Sequence, residues 1–266
     1  MILGNSKKQT RIIGVLSGKG GVGKSVTAVN ISALLNRMGK QTVLVDGDLS
    51  NPSVGLHLGL AYNAIGLNDC LLGKHKVSDA IVIQPQTGMR ILPASLRYKR
   101  DFTLKQLARV MGELSGYDFV IIDSPPGLTE DAWQIMSVCD QVLLVTTPDI
   151  PSTTSAAKTL ILCKERGTEA IGVVINRVTK AKYELTAREI SSMVEAPVIS
   201  EIPEDNAVPA SIAARNPLVL YKPNSPASKT FVKLARKISG DESMIDVVSE
   251  GILGRIIAAI KRLFGR

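Results

Sequence analysis

A glycine-rich segment near the start of the chain constrains its fold more than any other feature. The segment reads Ser17-Gly18-Lys19-Gly20-Gly21-Val22-Gly23-Lys24-Ser25, with the spacing G-x-x-x-x-G-K-S. An apolar run at 12–16 precedes it, and a helical pattern over 24–37 follows it. A strand that turns into a helix through glycines directs backbone N–H groups and a helix N-terminus at an anion. The segment is therefore predicted to be a phosphate-binding loop.

The loop residues have distinct predicted roles. The glycines allow the backbone to wrap around phosphates, Lys24 reaches the β- and γ-phosphates, and the Ser25 hydroxyl is a ligand for Mg²⁺. The predicted cofactor-binding residues of the loop are Gly18, Lys19, Gly20, Gly21, Val22, Gly23, Lys24, Ser25 and Val26.

The rest of the chain alternates short apolar runs with helical patterns. Predicted strands cover 12–16, 42–45, 89–92, 119–122, 142–146, 171–175 and 198–202, and predicted helices cover 24–37, 103–114, 130–138, 152–166, 183–194 and 227–238. This alternation predicts an α/β fold, a doubly wound and mainly parallel sheet flanked by helices. Aromatic residues make up only 4% of the chain, so the core must be aliphatic.

The organisation predicted from the sequence has four parts. Residues 1–10 form a flexible N-terminal segment, 11–238 the nucleotide-binding domain, 239–250 a linker, and 251–266 an amphipathic helix. No apolar run is long enough to span a membrane. His57 and His75 have no partner pattern and are interpreted as surface residues, and Trp133 as a packing or contact residue.

Three aspartates follow predicted strands. Asp46 and Asp48 come after the second strand, and Asp123 ends the strand at 119–122. The carboxyl ends of parallel strands border the ligand crevice, so these carboxylates are candidates for the phosphate site, although aspartate also caps turns. Asp123 is predicted to hold Mg²⁺ directly or through water.

With Lys19, the loop reads K-G-G-V-G-K-S, which resembles the deviant Walker A motif of the MinD/ParA family. The resemblance implies a doubly wound fold and Mg²⁺-dependent ATP hydrolysis by a face-to-face homodimer. It implies catalytic roles for Lys19, which crosses to the partner's phosphates, for Lys24, and for Asp48, which orients the attacking water. The resemblance also implies that Asp46 supports the magnesium shell. Val26 departs from the family pattern, in which a threonine hydroxyl holds the α-phosphate.

Two further strand ends are predicted, by the same resemblance, to flank the adenine. Asn176 follows the strand at 171–175, and its amide offers a donor and an acceptor to a purine edge. Pro203, Glu204 and Asp205 follow the strand at 198–202. The alternative for Asn176 is a turn-forming residue.

The last sixteen residues form a basic amphipathic pattern. At 100° per residue, one arc contains Ile252, Leu253, Ile256, Ile257, Ile260, Leu263 and Phe264, and the four basic residues lie outside it. Such a helix suits the interface of an anionic membrane, and the alternative is a terminal helix docked on the body. The segment resembles the membrane-targeting helix of the MinD branch of the family.

The leading functional hypothesis is a MinD-like ATPase that dimerises on ATP, binds anionic lipids through its tail and is released on hydrolysis, positioning cell division or another structure. This places it in the cytoplasm and reversibly on the inner face of the cell membrane, with an unidentified activating or cargo protein. The alternatives are a flagellum- or pole-positioning ATPase, a DNA-partitioning ATPase of the ParA type, and a weakly hydrolysing nucleotide-dependent scaffold. DNA is the less favoured partner, although the net charge is +8. The three cysteines include no CxxC pair, which argues against an iron–sulfur carrier.

Overall fold

A computed structural model describes residues 10–60, 65–95 and 102–240 of the chain. The tail at 251–266, most of the predicted linker and nearly all of the predicted N-terminal segment lie outside these residues. Within them, no helix is long and apolar enough to cross a membrane.

Eight strands form one sheet. They are β1 (Arg11–Leu16), β2 (Thr42–Asp46), β3 (Val82–Ile83), β4 (Arg90–Leu92), β5 (Phe119–Asp123), β6 (Gln141–Thr146), β7 (Glu169–Val178) and β8 (Val198–Pro203). Their order is β3-β4-β2-β5-β1-β6-β7-β8. All neighbours are parallel except β3 and β4, which pair antiparallel. The predicted doubly wound, mainly parallel sheet is confirmed.

Eleven helices are found in the described part of the chain. They are α1 (Lys24–Arg37), α2 (Val54–Leu58), α3 (Leu67–Leu71), α4 (Val77–Ala80), α5 (Leu104–Glu113), α6 (Glu130–Val138), α7 (Ile150–Glu165), α8 (Ala187–Val194), α9 (Ala207–Ala213), α10 (Leu218–Tyr221) and α11 (Pro226–Ser239).

Two aliphatic cores cover the two faces of the sheet. In β2, Val43 and Val45 belong to one core and Leu44 to the other, as the alternation of side chains in a strand requires. Residues of α5, α6 and α7 pack in the first core, and residues of α1 and α11 pack in the second. The sheet is therefore covered on both faces, which leaves the ends of its strands as the place for a site.

The structure corrects several of the predicted elements. The helix predicted over 183–194 begins at Ala187, because Thr186 caps it: the Glu189 N–H donates to the Thr186 hydroxyl, and the Thr186 N–H donates to the Glu189 carboxylate. The edge strand β3 was not predicted, since two residues are too few to form a pattern. The last helix runs one residue beyond the prediction, to Ser239, and Gly240 ends it with a φ of 69°.

Candidate functional site

The glycine-rich loop lies at the centre of the sheet. It follows β1, which lies between β5 and β6, and it leads directly into α1. Gly21 and Gly23 have φ values of 80° and 94°, a backbone conformation that side chains with a Cβ rarely adopt. The loop therefore needs glycine at both positions to turn from strand to helix.

Neighbouring elements press closely on two glycines of the loop. A Cβ on Gly18 would overlap the backbone carbonyl of Ser155 in α7, and a Cβ on Gly23 would overlap the amide of Asn176 in β7. The Asn176 amide donates a hydrogen bond of 2.8 Å to the Val22 carbonyl. The loop is thus held in shape by α7 and β7.

Lys24 and Asp123 meet beneath the loop. Both side chains are buried, and the Lys24 ammonium lies 2.7 Å from one carboxylate oxygen of Asp123. Sheet register places Asp123 opposite Val15 of β1 and Asp46 of β2. The parallel pairing of three adjacent strands therefore brings together the cation and two of the carboxylates that the sequence identified.

Asp46 is a buried carboxyl group with an unusual proton affinity. Its Oδ2 accepts a hydrogen bond of 3.1 Å from the Val54 N–H. Burial, with the negative charge of Asp123 as a second cause, raises the pKa of Asp46 to about 8. A bound cation would favour the ionised form of this group.

The donor set fits a magnesium ion. Oδ1 of Asp46 and Oδ2 of Asp123 are buried and have no hydrogen-bond partner in the described part of the chain. The Ser25 hydroxyl accepts a hydrogen bond of 2.9 Å from Ser53. No group of three or more His, Cys, Asp or Glu residues suited to a metal occurs among the described residues. Magnesium nevertheless needs only one or two carboxylates when phosphate oxygens and water complete its shell.

A cavity of about 290 Å³ opens between these groups and the solvent. Its lining combines the loop, the segment after β2 and parts of three other segments: Ser17, Gly20, Gly21, Gly23, Lys24, Ser25, Val26, Asp48, Asn51, Ser53, His57, Pro126, Arg177 and Ile212. Asp48 is nearly buried, and its carboxylate accepts a hydrogen bond of 3.0 Å from the Asn51 N–H. Burial raises the pKa of Asp48 above its ordinary value.

The segment after β5 is tied to the loop. The Gly127 N–H donates to the Ser17 carbonyl over 2.9 Å, and the Gly47 N–H donates to the Asp123 carbonyl over 2.8 Å. Gly127 has a φ of 79°. The three strand ends therefore form one connected frame around the cavity.

Other predicted site residues lie apart from the cavity lining. Lys19 is exposed at the tip of the loop. Asn176 donates to the loop backbone, so its amide N–H₂ group already has one acceptor. Asp205 accepts hydrogen bonds from the N–H groups of Ala207 and Ala227 and so caps two helix starts.

The remaining predicted residues of this region are also placed. Glu204 lies 3.9 Å from Arg177, and Pro203 ends β8. Val26 lines the cavity without a hydroxyl, and the hydroxyl of Thr27 donates to the Gly23 carbonyl inside α1. The Thr27 hydroxyl therefore does not replace the hydroxyl that is missing at position 26.

Sequence reasoning missed several residues of the cavity. His57 was expected on the surface, but it is half-buried in the lining, and burial lowers its pKa. Ser53 and His57 lie beside the loop because the chain after Asp48 passes it before α2 starts at Val54, and the Ser53 hydroxyl donates to Ser25 of the loop. The serine before that helix was the available signal, as a candidate helix cap. Arg177 carried the weaker signal of following Asn176.

Comparison with known proteins gives a consistent result. The family model described as "ParA: NUBPL iron-transfer P-loop NTPase" matches residues 8–239. An ATP-binding protein of Methanocaldococcus jannaschii is 32% identical over 261 residues, 96% of this chain and 97% of that protein.

Two solved structures are similar over almost their whole length. The cell division ATPase MinD of Pyrococcus furiosus superposes with a TM-score of 0.81 at 34% identity, covering 86% of this chain and 98% of that one. The septum-site-determining protein MinD of Pyrococcus horikoshii, solved with Mg-ADP, gives a TM-score of 0.81 at 31% identity and covers 91% and 100%. With its loop, sheet order and strand-end aspartates, the chain belongs to the ParA family of P-loop NTPases, and its similar structures are MinD cell-division ATPases.

Proposed function

We propose that this protein is a Mg²⁺-dependent ATP hydrolase of the MinD type, which dimerises on ATP and cycles on and off an anionic membrane surface. The observation that carries the enzymatic part is the buried contact of Lys24 with Asp123 at the carboxyl ends of the central strands, beside buried carboxylate oxygens that lack partners in the described part of the chain. Beside a glycine-rich loop, a buried cation can bind the phosphates of a nucleoside triphosphate. Buried carboxylates can bind the metal ion that accompanies these phosphates.

Lys24 is the residue that would bind the terminal phosphates. Its ammonium group is already held in a buried position, where it donates a hydrogen bond of 2.7 Å to a carboxylate oxygen of Asp123. A phosphate oxygen offers a second strong acceptor for the same cation. The loop N–H groups and the start of α1 add partial positive charge to the same place.

Ser25, Asp46 and Asp123 are the residues that would hold magnesium. When bound, the ion would neutralise part of the negative charge of the phosphates. Asp46 and Asp123 are supported for this role because two adjacent buried carboxylates repel each other and favour a cation between them.

Asp48 is proposed to orient the attacking water. Its carboxylate lines the same cavity as Lys24, and one of its oxygens is fixed by the Asn51 N–H. The carboxylate, held in this position, can accept a hydrogen bond from an O–H group of the attacking water without moving. Lys19, exposed at the loop tip, is proposed to act on the nucleotide of a second copy of the chain.

The membrane part of the proposal concerns residues 251–266. The seven large apolar residues of their arc and their four basic residues suit an anionic interface, but one short helix binds only marginally and reversibly. Two such helices in a dimer gain avidity of about 10²–10⁴ from effective concentration. ATP binding would therefore recruit the protein, and hydrolysis would release it.

ATP turnover by the purified full chain tests the enzymatic proposal. Phosphate release should depend on Mg²⁺ and stop on addition of EDTA. Lys24→Ala should abolish ATP binding and turnover, whereas Lys233→Ala, on the exposed face of α11, should not change either. Turnover by Lys24→Ala at the wild-type rate contradicts the assignment of the loop.

A further inference from the structure

A long groove lies between α5 and α6, on the face of the sheet opposite α11. Two neighbouring cavities of about 880 and 290 Å³ share Leu104 and Ser137, so they form one depression, here called the α5–α6 groove. Its mainly apolar lining includes Ile12, Leu104, Ala108, Met111, Gly112 and Val138. Trp133, Glu130 and Arg166 line its other end.

The wall formed by α5 has room for another helix. Leu104, Ala108 and Gly112 follow each other at i, i+4 and i+8, so they share one face of α5. A Cβ added to Gly112 would meet no atom within 4 Å, and Leu104 is 43% exposed. Small side chains along a ridge let a second helix approach closely, as ridge-into-groove packing requires.

The end of α11 lies at the same end of β1 as the groove, but on the other face of the sheet. The Arg11 guanidinium donates a hydrogen bond of 2.8 Å to the carbonyl of Ile238, in the last turn of α11. The neighbours of Arg11 in sequence, Thr10 and Ile12, both line the groove. The ten residues at 241–250 span up to about 33 Å when extended, and sixteen helical residues measure about 24 Å.

We propose that residues 251–266 dock in the α5–α6 groove and that the groove and the membrane compete for the same apolar face. The seven large apolar residues of the predicted arc match the apolar lining, and the basic residues outside that arc remain in water. Competition with the membrane rests on the membrane binding proposed above, but docking does not.

Trp133 provides a direct measurement, because it is the single tryptophan of the chain. One face of its ring is covered by the Arg166 guanidinium at 5.4 Å, and the indole lines the groove. Deleting residues 251–266 should raise the acrylamide quenching constant of Trp133 severalfold and shift its emission to the red. Ile256→Glu should do the same in the full-length chain, because it puts a charge on the docked face.

A groove-filling variant tests the same contact from the other side. Gly112→Leu places a side chain where the segment would lie, and Lys105→Leu adds the same side chain to an exposed position of α5 outside the groove. Gly112→Leu should raise Trp133 quenching in the full-length chain, and Lys105→Leu should leave it unchanged. In the chain that lacks residues 251–266, Gly112→Leu should no longer change the quenching of Trp133.

Vesicles of phosphatidylglycerol and phosphatidylcholine test the competition. If the segment is docked nine-tenths of the time, emptying the groove of its segment raises the apparent membrane affinity by about tenfold. Gly112→Leu should therefore bind vesicles more tightly than Lys105→Leu.

The outcomes separate the two proposals. Unchanged Trp133 quenching on deletion of 251–266 overturns docking, and increased quenching on deletion of residues 1–9 instead would assign the groove to the N-terminal segment. Increased quenching without vesicle binding in any variant would retain docking and contradict the membrane proposal. Vesicle binding that is equal in Gly112→Leu and Lys105→Leu overturns the competition.

Discussion

At the scale of single residues, the site is dominated by charges that burial makes expensive. Lys24, Asp46 and Asp123 have between zero and 7% of their surface exposed. A buried ion pair is weak support for stability, because the desolvation of both partners offsets their attraction. These residues are therefore better explained by what they bind than by what they stabilise.

Asp46 gives a prediction about pH. Its pKa of about 8 in the folded chain exceeds the ordinary aspartate value of 3.8, so between these pH values the folded state holds a proton that the unfolded state releases. Stability should therefore fall as pH rises through this window, by about 1.4 kcal/mol per pH unit for this one group. Asp46→Asn lacks the titration and should become more stable relative to wild type as pH rises.

Urea unfolding of both proteins from pH 5 to pH 8, without nucleotide and with EDTA, measures this difference. Asp79→Asn, an exposed carboxylate, is the matched control and should follow wild type at every pH. A constant free-energy difference between wild type and Asp46→Asn across the range would contradict the raised pKa.

Asp48 gives a prediction about catalysis. Asp48→Asn should keep ATP affinity within about threefold of wild type, because Lys24 and the loop remain, but should lower turnover by about 10²–10⁴. Equilibrium binding of a fluorescent ATP analogue and steady-state phosphate release measure the two effects. A variant that loses binding and turnover together would assign Asp48 to nucleotide binding instead.

At the scale of elements, the loop depends on a strand that is distant in sequence. Asn176 of β7 donates to the Val22 carbonyl, and the nitrogen of the same amide would lie 2.0 Å from a Cβ added to Gly23. Asn176→Ala removes a buried hydrogen bond of about 1 kcal/mol, and the loop loses one of its supports. ATP affinity should therefore fall by about fivefold, with GTP affinity falling by the same factor.

Competition binding with ATP and GTP distinguishes loop support from contact with the base. If Asn176 reads the adenine, the substitution should weaken ATP much more than GTP. Thr179→Ala, just beyond β7, is a control for changes in this strand end, since its hydroxyl contacts Glu184 and not the loop.

The elements also show why sequence reasoning succeeded in some places and failed in others. The start of α1 at Lys24 and the aspartates at the ends of β2 and β5 follow from local patterns, namely glycine spacing and apolar runs. The Asn176–Val22 contact joins residues 154 positions apart, and no local pattern encodes it. Ser53 and His57 reach the cavity through the short helix α2, whose five residues are too few to show periodicity.

At the scale of the whole molecule, two distant regions must be coupled if the protein cycles on a membrane. The phosphate loop lies at the carboxyl ends of the strands, whereas α11 ends beside Arg11, where β1 begins. The phosphate loop and the end of α11 therefore lie at opposite ends of β1. The proposed dimer, formed through the loop side, would provide coupling without any path through the core, because it would bring two tails onto one surface.

Flotation of the full chain with anionic vesicles tests this coupling. ATP should raise the vesicle-bound fraction strongly relative to ADP, since the second helix binds with an effective concentration worth about 10²–10⁴ in avidity. Deleting residues 251–266 should remove binding and leave ATP affinity unchanged. Added salt should weaken binding, because screening reduces the attraction of the basic residues to acidic headgroups.

Lys19→Ala separates dimerisation from the tail in the same assay. It retains the complete tail and Lys24, so it should still bind ATP, but without the cation proposed to reach the second copy it should remain monomeric in sedimentation. Its vesicle binding with ATP should then equal that of wild type with ADP, since avidity requires two tails in one particle. Equal binding of wild type in ATP and ADP would make the tail a constitutive anchor. Strong ATP-dependent binding by a monomeric Lys19→Ala would mean that the nucleotide acts on the tail within one chain, as release from the α5–α6 groove would allow.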